Sequence, residues 1–163
     1  MLPAAYAGLG VIISARILAE MGDDRQRFGS ARGLKAYAGS APITKASGRA
    51  LTITHRPNKN NRLNAAGILW ASVTILHPGP ERQHYLRRRA HGDRHVAAVR
   101  HLFNRMLGQL HRCLQAGQHF DQEVAYPEYF SPAVLEAIDL DGTADLSVNN
   151  LETSYLDRLA ATH

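Results

Sequence analysis

Asp93-Arg94-His95-Val96-Ala97-Ala98-Val99-Arg100-His101-Leu102-Phe103-Asn104-Arg105-Met106-Leu107-Gly108-Gln109-Leu110-His111-Arg112-Cys113-Leu114-Gln115 is the stretch whose reading decides the fold. Val96, Val99, Phe103, Met106, Leu110 and Cys113 recur at alternating steps of three and four, the seam by which one helix packs on another. The expected helix runs from Arg94 to Gln115, with Asp93 as its cap. A helix of that length with one apolar face needs partners, so the chain reads as mainly α, a helical bundle.

Working outward, Asn61 to Leu76 reads as a second helix, with Leu63, Ala66, Ile68, Leu69, Val73 and Leu76 on or near one stripe. His77-Pro78-Gly79-Pro80 ends it, and Glu81 to Ala90 is a short basic helix. Nearer the start, Val11 to Glu20 is apolar at helical spacing and stops at Gly22. Ser30 is placed to cap a short helix from Ala31 to Ala38, with Gly39 as its C′ residue. Pro42 to Gly48 reads as loop. Arg49 to His55 alternates with β-branched residues as a short strand does, so an irregular or β-ribbon insertion is expected around residues 42–57. Trp70 and Tyr37 are expected in the core. Ser131-Pro132 opens another short helix through Ile138. The division expected is residues 1–120 as one domain and 121–163 as an acidic, weakly ordered tail.

Composition removes several classes of function. The chain has 163 residues, the size of one ordinary domain, and its single cysteine, Cys113, excludes a disulfide framework and a four-cysteine zinc site. No run of eighteen apolar residues is present to span a bilayer, and Met1-Leu2-Pro3-Ala4-Ala5-Tyr6 lacks the basic start of a signal peptide. A cytoplasmic setting, with no membrane partner, is the expectation. The nine histidines, among them the His91/His95 pair and His111-x-Cys113, show no recognised ligand spacing, so no metal site is expected of this chain by itself.

Charge points toward a partner. Residues 1–119 hold eighteen Lys and Arg against five Asp and Glu, a balance of +13, whereas residues 120–163 hold one Arg against nine acids. Between Arg25 and Pro80 there are nine basic residues and no acid. A one-signed field of this kind favours a polyanion, most simply nucleic acid.

Three motifs sit in this field. Gly8-Leu9-Gly10, leading into a helix with Ala15 five residues on, matches the second half of a helix-hairpin-helix, which offers backbone N–H groups to a phosphate without reading sequence. An ordinary glycine turn is the alternative. Gly39-Ser40-Ala41-Pro42-Ile43-Thr44-Lys45-Ala46-Ser47-Gly48-Arg49 places Ser47 between Lys45 and Arg49. A serine hydroxyl there could attack phosphorus while the cations neutralise non-bridging oxygens, or could simply make a turn. Arg56-Pro57-Asn58-Lys59-Asn60-Asn61-Arg62 is a basic, amide-rich approach to a helix. Arg56, Lys59 and Arg62 are its candidate phosphate contacts, against the plainer reading of a polar loop and cap.

Taken in order, Gly8-Leu9-Gly10, Ala15-Arg16, Glu20-Met21-Gly22-Asp23, Arg27-Phe28, Ala31-Arg32-x-Leu34-x-Ala36-Tyr37-Ala38-Gly39, Ala41-Pro42, Ala46-Ser47-Gly48 and Asn61-Arg62-Leu63 resemble the C-terminal half of insertion-sequence 110/116/902 family transposases, to which pilin-gene invertases are related. The resemblance runs from about Leu2 to about Asp121 and makes residues 1–120 the serine-bearing domain. It implies a two-part enzyme of DNA transposition. An N-terminal RuvC-like domain would bind Mg²⁺ through four acids, and a C-terminal serine, Ser47 here, would form a transient phosphoserine link to DNA. It further implies a tetrameric homo-oligomer and a guide RNA. Ala46 stands where the family often has a first serine. No RuvC-like stretch precedes Gly8, so the resemblance carries the expectation of a truncated transposase with no cofactor of its own. A non-enzymatic nucleic-acid-binding helical module is the other reading.

Overall fold

The computed structural model describes residues 9–130 except 42, 48, 49 and 55, and for residues 43–47 and 50–54 it describes the backbone. Residues 1–125 form one compact unit and residues 126–163 another. The expected helix from Ser131 to Ile138 lies outside the described residues.

The first unit is built of helices and one ribbon: α1 (Val11–Met21), α2 (Ala31–Tyr37), β1 (Ile43–Ser47), β2 (Ala50–Thr54), α3 (Asn61–Thr74), α4 (Pro80–Ala90), α5 (His95–Ala116) and the single turn α6 (Gln122–Ala125). In the second unit a 3-10 turn spans Pro127–Tyr129. The mainly α bundle expected from the long helical stripe is what forms. Helix α5 is its hub, packed against α2, α3 and α4, while α1 lies on α3.

Local chemistry sets the boundaries. Ser30 caps α2, its hydroxyl accepting from the Gly33 N–H at 3.2 Å. Gly22 and Gly39 take positive φ of 80° and 71° just beyond α1 and α2, a conformation open to glycine. Helix α5 differs from expectation at its start. Arg94 is the N-cap, with no side-chain cap bond. Asp93 does not cap because its carboxylate accepts from Arg88 Nε at 2.6 Å.

The core lies along α5. Ala98, Val99, Leu102, Phe103, Met106, Leu107 and Leu110 of α5 are buried, as are Leu63, Ala66, Trp70 and Ala71 of α3, Ile17 of α1 and Leu34 of α2, where α5 packs on α2 and α3 and α1 packs on α3. Each of the Val, Leu, Ile, Met and Phe side chains among these contributes about 1.5–3 kcal/mol on leaving water. Trp70 is core as expected, and Tyr37 is half-buried.

Two expected stripes are shifted. Val96 is 71% exposed and Cys113 is only half-buried, so the α5 seam begins later and is wider than the three-four count. Leu69 of α3 and Leu76, two residues past its end, are 44% and 72% exposed, while Gly67, Trp70, Ala71 and Thr74 are buried. Gly67 lies directly against α5: a Cβ there would stand 1.9 Å from the Phe103 ring. Leu69 and Val73 instead line an open apolar groove with Leu9, Val11, Ile12 and Ile13.

The stretch from Pro42 to Gly48, expected as loop, supplies a strand. β1 and β2 pair antiparallel with Ile43 opposite Thr54, Lys45 opposite Thr52 and Ser47 opposite Ala50. The alternation that marks β2 is matched in β1, so the insertion is a two-stranded β-ribbon.

Candidate nucleic-acid interface

Ser47 is the last residue of β1, so the two-residue link to β2 follows it directly. The register puts Lys45 and Ser47 on one face of the ribbon, since strand positions two apart share a face. Of the other expected contacts on this part of the chain, Arg49 lies outside the described residues.

The feet of the ribbon are fixed to the bundle. Asn60 N–H donates to the Tyr37 carbonyl at 2.8 Å, and Asn64 Nδ2 donates to the Ala38 carbonyl at 2.9 Å, which ties the start of α3 to the end of α2. On the outgoing side Ser40 is buried, and its hydroxyl bonds the Asn104 side-chain oxygen on α5 at 3.0 Å. Gly39 lets the return strand close in: a Cβ at its φ of 71° would lie 2.1 Å from Lys59 Cδ.

Asn60 is the hinge pin. Its Oδ1 accepts from the Leu63 N–H at 2.9 Å and so caps α3. Its Nδ2 donates to Glu20 Oε2 at 2.7 Å and to the Tyr37 hydroxyl at 2.7 Å. Arg27 completes the network. It donates to the Tyr37 hydroxyl at 3.2 Å and to the Met21 carbonyl at 2.9 Å, and stacks 5.1 Å from the Tyr37 ring centroid. Glu20 and Ser40 carry no sign of this role in the sequence, and Asn60 falls in the amide-rich approach to α3, where the cap is the plainer of the two readings. The polar Asn60-Asn61 pair was the one available signal, because α3 starts there.

On this scaffold the three cations of the α3 approach differ. Arg62 is 87% exposed, with Glu20 at 3.8 Å as its only ion-pair partner among the described residues. Lys59 is half-buried: its stem covers Gly39 and its Nζ donates to the Arg56 carbonyl at 3.4 Å. Arg56 is half-buried, and among the described residues its Nε has no hydrogen-bond partner. Arg56 and Lys59 therefore shape the foot of the ribbon, and Arg62, in the first turn of α3, is exposed.

At the other glycine motif, Gly10 is the N-cap of α1 in extended conformation, with open space where a Cβ would be. Ser14 Oγ donates back to the Gly10 carbonyl at 3.0 Å. Gly8 lies outside the described residues.

Titration is perturbed away from the ribbon. Burial pushes the Lys35 ammonium, which lies against Gly108, below its ordinary range. Burial pushes the Glu81 carboxyl up, opposed by its own backbone hydrogen bond, by Gln122 and by the Arg105 charge. Burial and the Arg88 charge lower His101, with Asp93 pulling the other way. Among the described residues no group of three His, Cys, Asp or Glu side chains could hold a metal ion. None of their helices is long and apolar enough to cross a membrane.

Comparison with known proteins bears on what such an interface serves. The family model described as "Transposase IS116/IS110/IS902 family" matches residues 4–87. The chain is 57% identical over 122 residues to the IS117 mini-circle protein of Streptomyces coelicolor, an overlap covering 75% of this chain and 30% of that protein. It is 40% identical over 104 residues to a 42 kDa protein of insertion element IS900 from Mycobacterium paratuberculosis, covering 63% and 26%. It is 30% identical over 118 residues to a 43.6 kDa protein of IS110 from Streptomyces coelicolor, covering 72% and 29%. The chain thus spans less than a third of the length of these relatives. No solved structure matches it.

Proposed function

Because the chain belongs to the IS116/IS110/IS902 transposase family, we propose that it is the DNA-binding, serine-bearing part of a transposase, corresponding to the C-terminal portion of such proteins. Ser47 is the nucleophile. Its Oγ attacks a backbone phosphorus, the Oγ–P bond forms as one P–O bond to a deoxyribose oxygen breaks, and the hydroxyl proton ends on the departing oxygen. The serine ester conserves the phosphodiester bond energy for rejoining to a second strand. Lys45, Arg49, Arg56, Lys59 and Arg62 bind and neutralise phosphates, and Gly8 and Gly10 bring backbone N–H groups to the strand.

The observation that carries this reading is the family match across residues 4–87, which contains Ser47 and the whole acid-free basic stretch from Arg25 to Pro80. The position of Ser47 in β1, two residues after Lys45 and so on the same face of the ribbon, supports it, because a cation beside the attacked phosphate neutralises its oxygens. Mg²⁺ chemistry belongs to a RuvC-like partner domain; the described residues offer no cluster fit to hold the ion, and no step here runs through it. Assembly as a homo-oligomer and pairing by a guide RNA are part of the same proposal.

The test is a covalent protein–DNA adduct. With a RuvC-like domain of a relative supplied, the chain should form an adduct that disappears in Ser47→Ala. Adduct yield unchanged by that substitution removes the nucleophile assignment. A non-enzymatic DNA-binding module is the second reading, favoured by the basic stretch alone. It predicts salt-sensitive DNA binding with no adduct under any condition.

A further inference from the structure

We propose that the α4–α5 hairpin is a second docking surface for the backbone of duplex DNA, separate from the ribbon and centred on Arg89 and Arg94. The inference rests on the reading of the chain as DNA-binding and adds a surface to it.

Glu81 to Arg105 holds seven arginines and two acids. Both acids are occupied. Glu81 is buried, and Gln122 Nε2 donates to its carboxylate at 3.2 Å. Asp93 is paired with Arg88. Arg88 and Arg105 are engaged within the protein: Arg88 holds Asp93, and Arg105 turns inward to donate to the Ala125 carbonyl at 2.7 Å and to contact His84 Nδ1 at 3.4 Å. Arg89 and Arg94 remain exposed at the turn between the helices. That turn is braced from within, because Arg89 donates to the Asp93 carbonyl at 2.8 Å while Arg88 grips the Asp93 side chain.

Helix electrostatics explains only part of this pattern. Arg87, Arg88 and Arg89 lie in the last turn of α4, where positive charge suits the helix dipole. Arg94 does not fit that account. It stands at the positive end of α5, a helix with no acid in its first turn. A cation held there against the dipole and left exposed suits an outside anion, and a guanidinium matches a phosphate with two parallel N–H donors.

The occupant is a duplex rather than an open strand. Single-strand sites need aromatic platforms for unstacked bases. The hairpin's two aromatics are spent: the Tyr85 hydroxyl bonds His95 Nδ1 at 2.9 Å, and Phe103 is buried. The surface is also distinct from the ribbon. Arg94 precedes Asn104, which anchors the ribbon foot, by ten residues. That separation is ~15 Å along the axis of α5.

The experiment measures binding of the full chain to a short duplex DNA of arbitrary sequence across a salt series. The variants are Arg89→Glu/Arg94→Glu, the milder Arg89→Gln/Arg94→Gln, the ribbon-side pair Arg56→Ala/Arg62→Ala, and Arg112→Gln on the far half of α5 as control. Charge reversal should weaken binding by about tenfold or more, and the Gln pair should reduce the log–log salt slope by ~2, with Arg112→Gln close to the parent. Unchanged affinity and slope in both hairpin pairs, with helical circular dichroism retained, overturns the inference. If the charge-reversed pair does not fold, the Gln pair decides. Loss confined to the ribbon-side pair sinks the hairpin and keeps the ribbon; loss confined to the hairpin pairs does the reverse. Tighter binding of duplex RNA than of duplex DNA by the parent chain, lost in the hairpin pairs, overturns the assignment to DNA.

Discussion

Asn60 spends every polar atom of its side chain on three different elements, so no other residue type replaces it fully. Asn60→Ala should lose the α3 cap and the amide bonds to Glu20 and Tyr37, a destabilisation of about 1–3 kcal/mol in urea denaturation. A change within a few tenths of a kcal/mol would show the network to be inert. Gly39→Ala should cost about 1–3 kcal/mol, because the new methyl meets Lys59 at a positive φ. Lys59→Ala in the same chain should recover part of that loss, and its failure to do so would leave backbone strain as the whole cause. Glu81 gives a pH dependence of known sign. Its carboxyl titrates above the ordinary range in the folded chain, so between the unfolded and folded values the folded state holds the extra proton. Stability from this group is present at acid pH and is lost as pH rises through the raised value. Glu81→Gln should therefore be relatively more stable than the parent at pH 7 than at pH 4; a pH-independent difference would refute it. Ser30 was legible in the sequence because capping needs only the residue itself and the helix it starts. The bonds of Asn60 to Glu20 and of Ser40 to Asn104 were not, since the partners lie 40 and 64 residues away.

At the scale of elements, helices were legible and their faces were not. A stripe counted in threes and fours assumes one partner, whereas α3 meets both α1 and α5 and α5 meets three helices. Gly67 carries no apolar signal, yet the Phe103 ring of α5 occupies the space a side chain there would need. Gly67→Ala should lower stability by about 1–3 kcal/mol in the same assay, through overpacking against Phe103. The double variant with Phe103→Leu should be less than additive. Strict additivity would mean that the two residues do not share this contact. The first strand was legible only as one of two options, a ribbon or an irregular insertion, because Ile43-Thr44-Lys45-Ala46-Ser47 alternates weakly and pairing with Ala50–Thr54 is what makes it a strand. For the candidate site, this means that Ser47 and its cations were legible as a motif while the ribbon that carries them was only half legible.

The molecule as a whole carries its charge lopsidedly, with +13 over residues 1–119. Like charges at that density repel, so moderate potassium chloride should raise the melting temperature of the helical unit, with sulfate acting more strongly. A melting temperature that falls with added salt would mean that attractive pairs dominate instead. The same imbalance was the clearest functional signal in the sequence, because a sum over many residues survives errors in any one element. What it could not show was that some of these cations, Arg88 and Arg105 among them, are consumed in holding the protein together.

The clasp formed by Tyr37 with Asn60 and by Ala38 with Asn64 belongs wholly to residues outside the segment between Ala41 and Arg56. That segment is in effect an interchangeable cartridge. Its length and chemistry can drift, or be traded with a relative's, while the framework that receives it stays closed, so whatever preference it confers should travel with it.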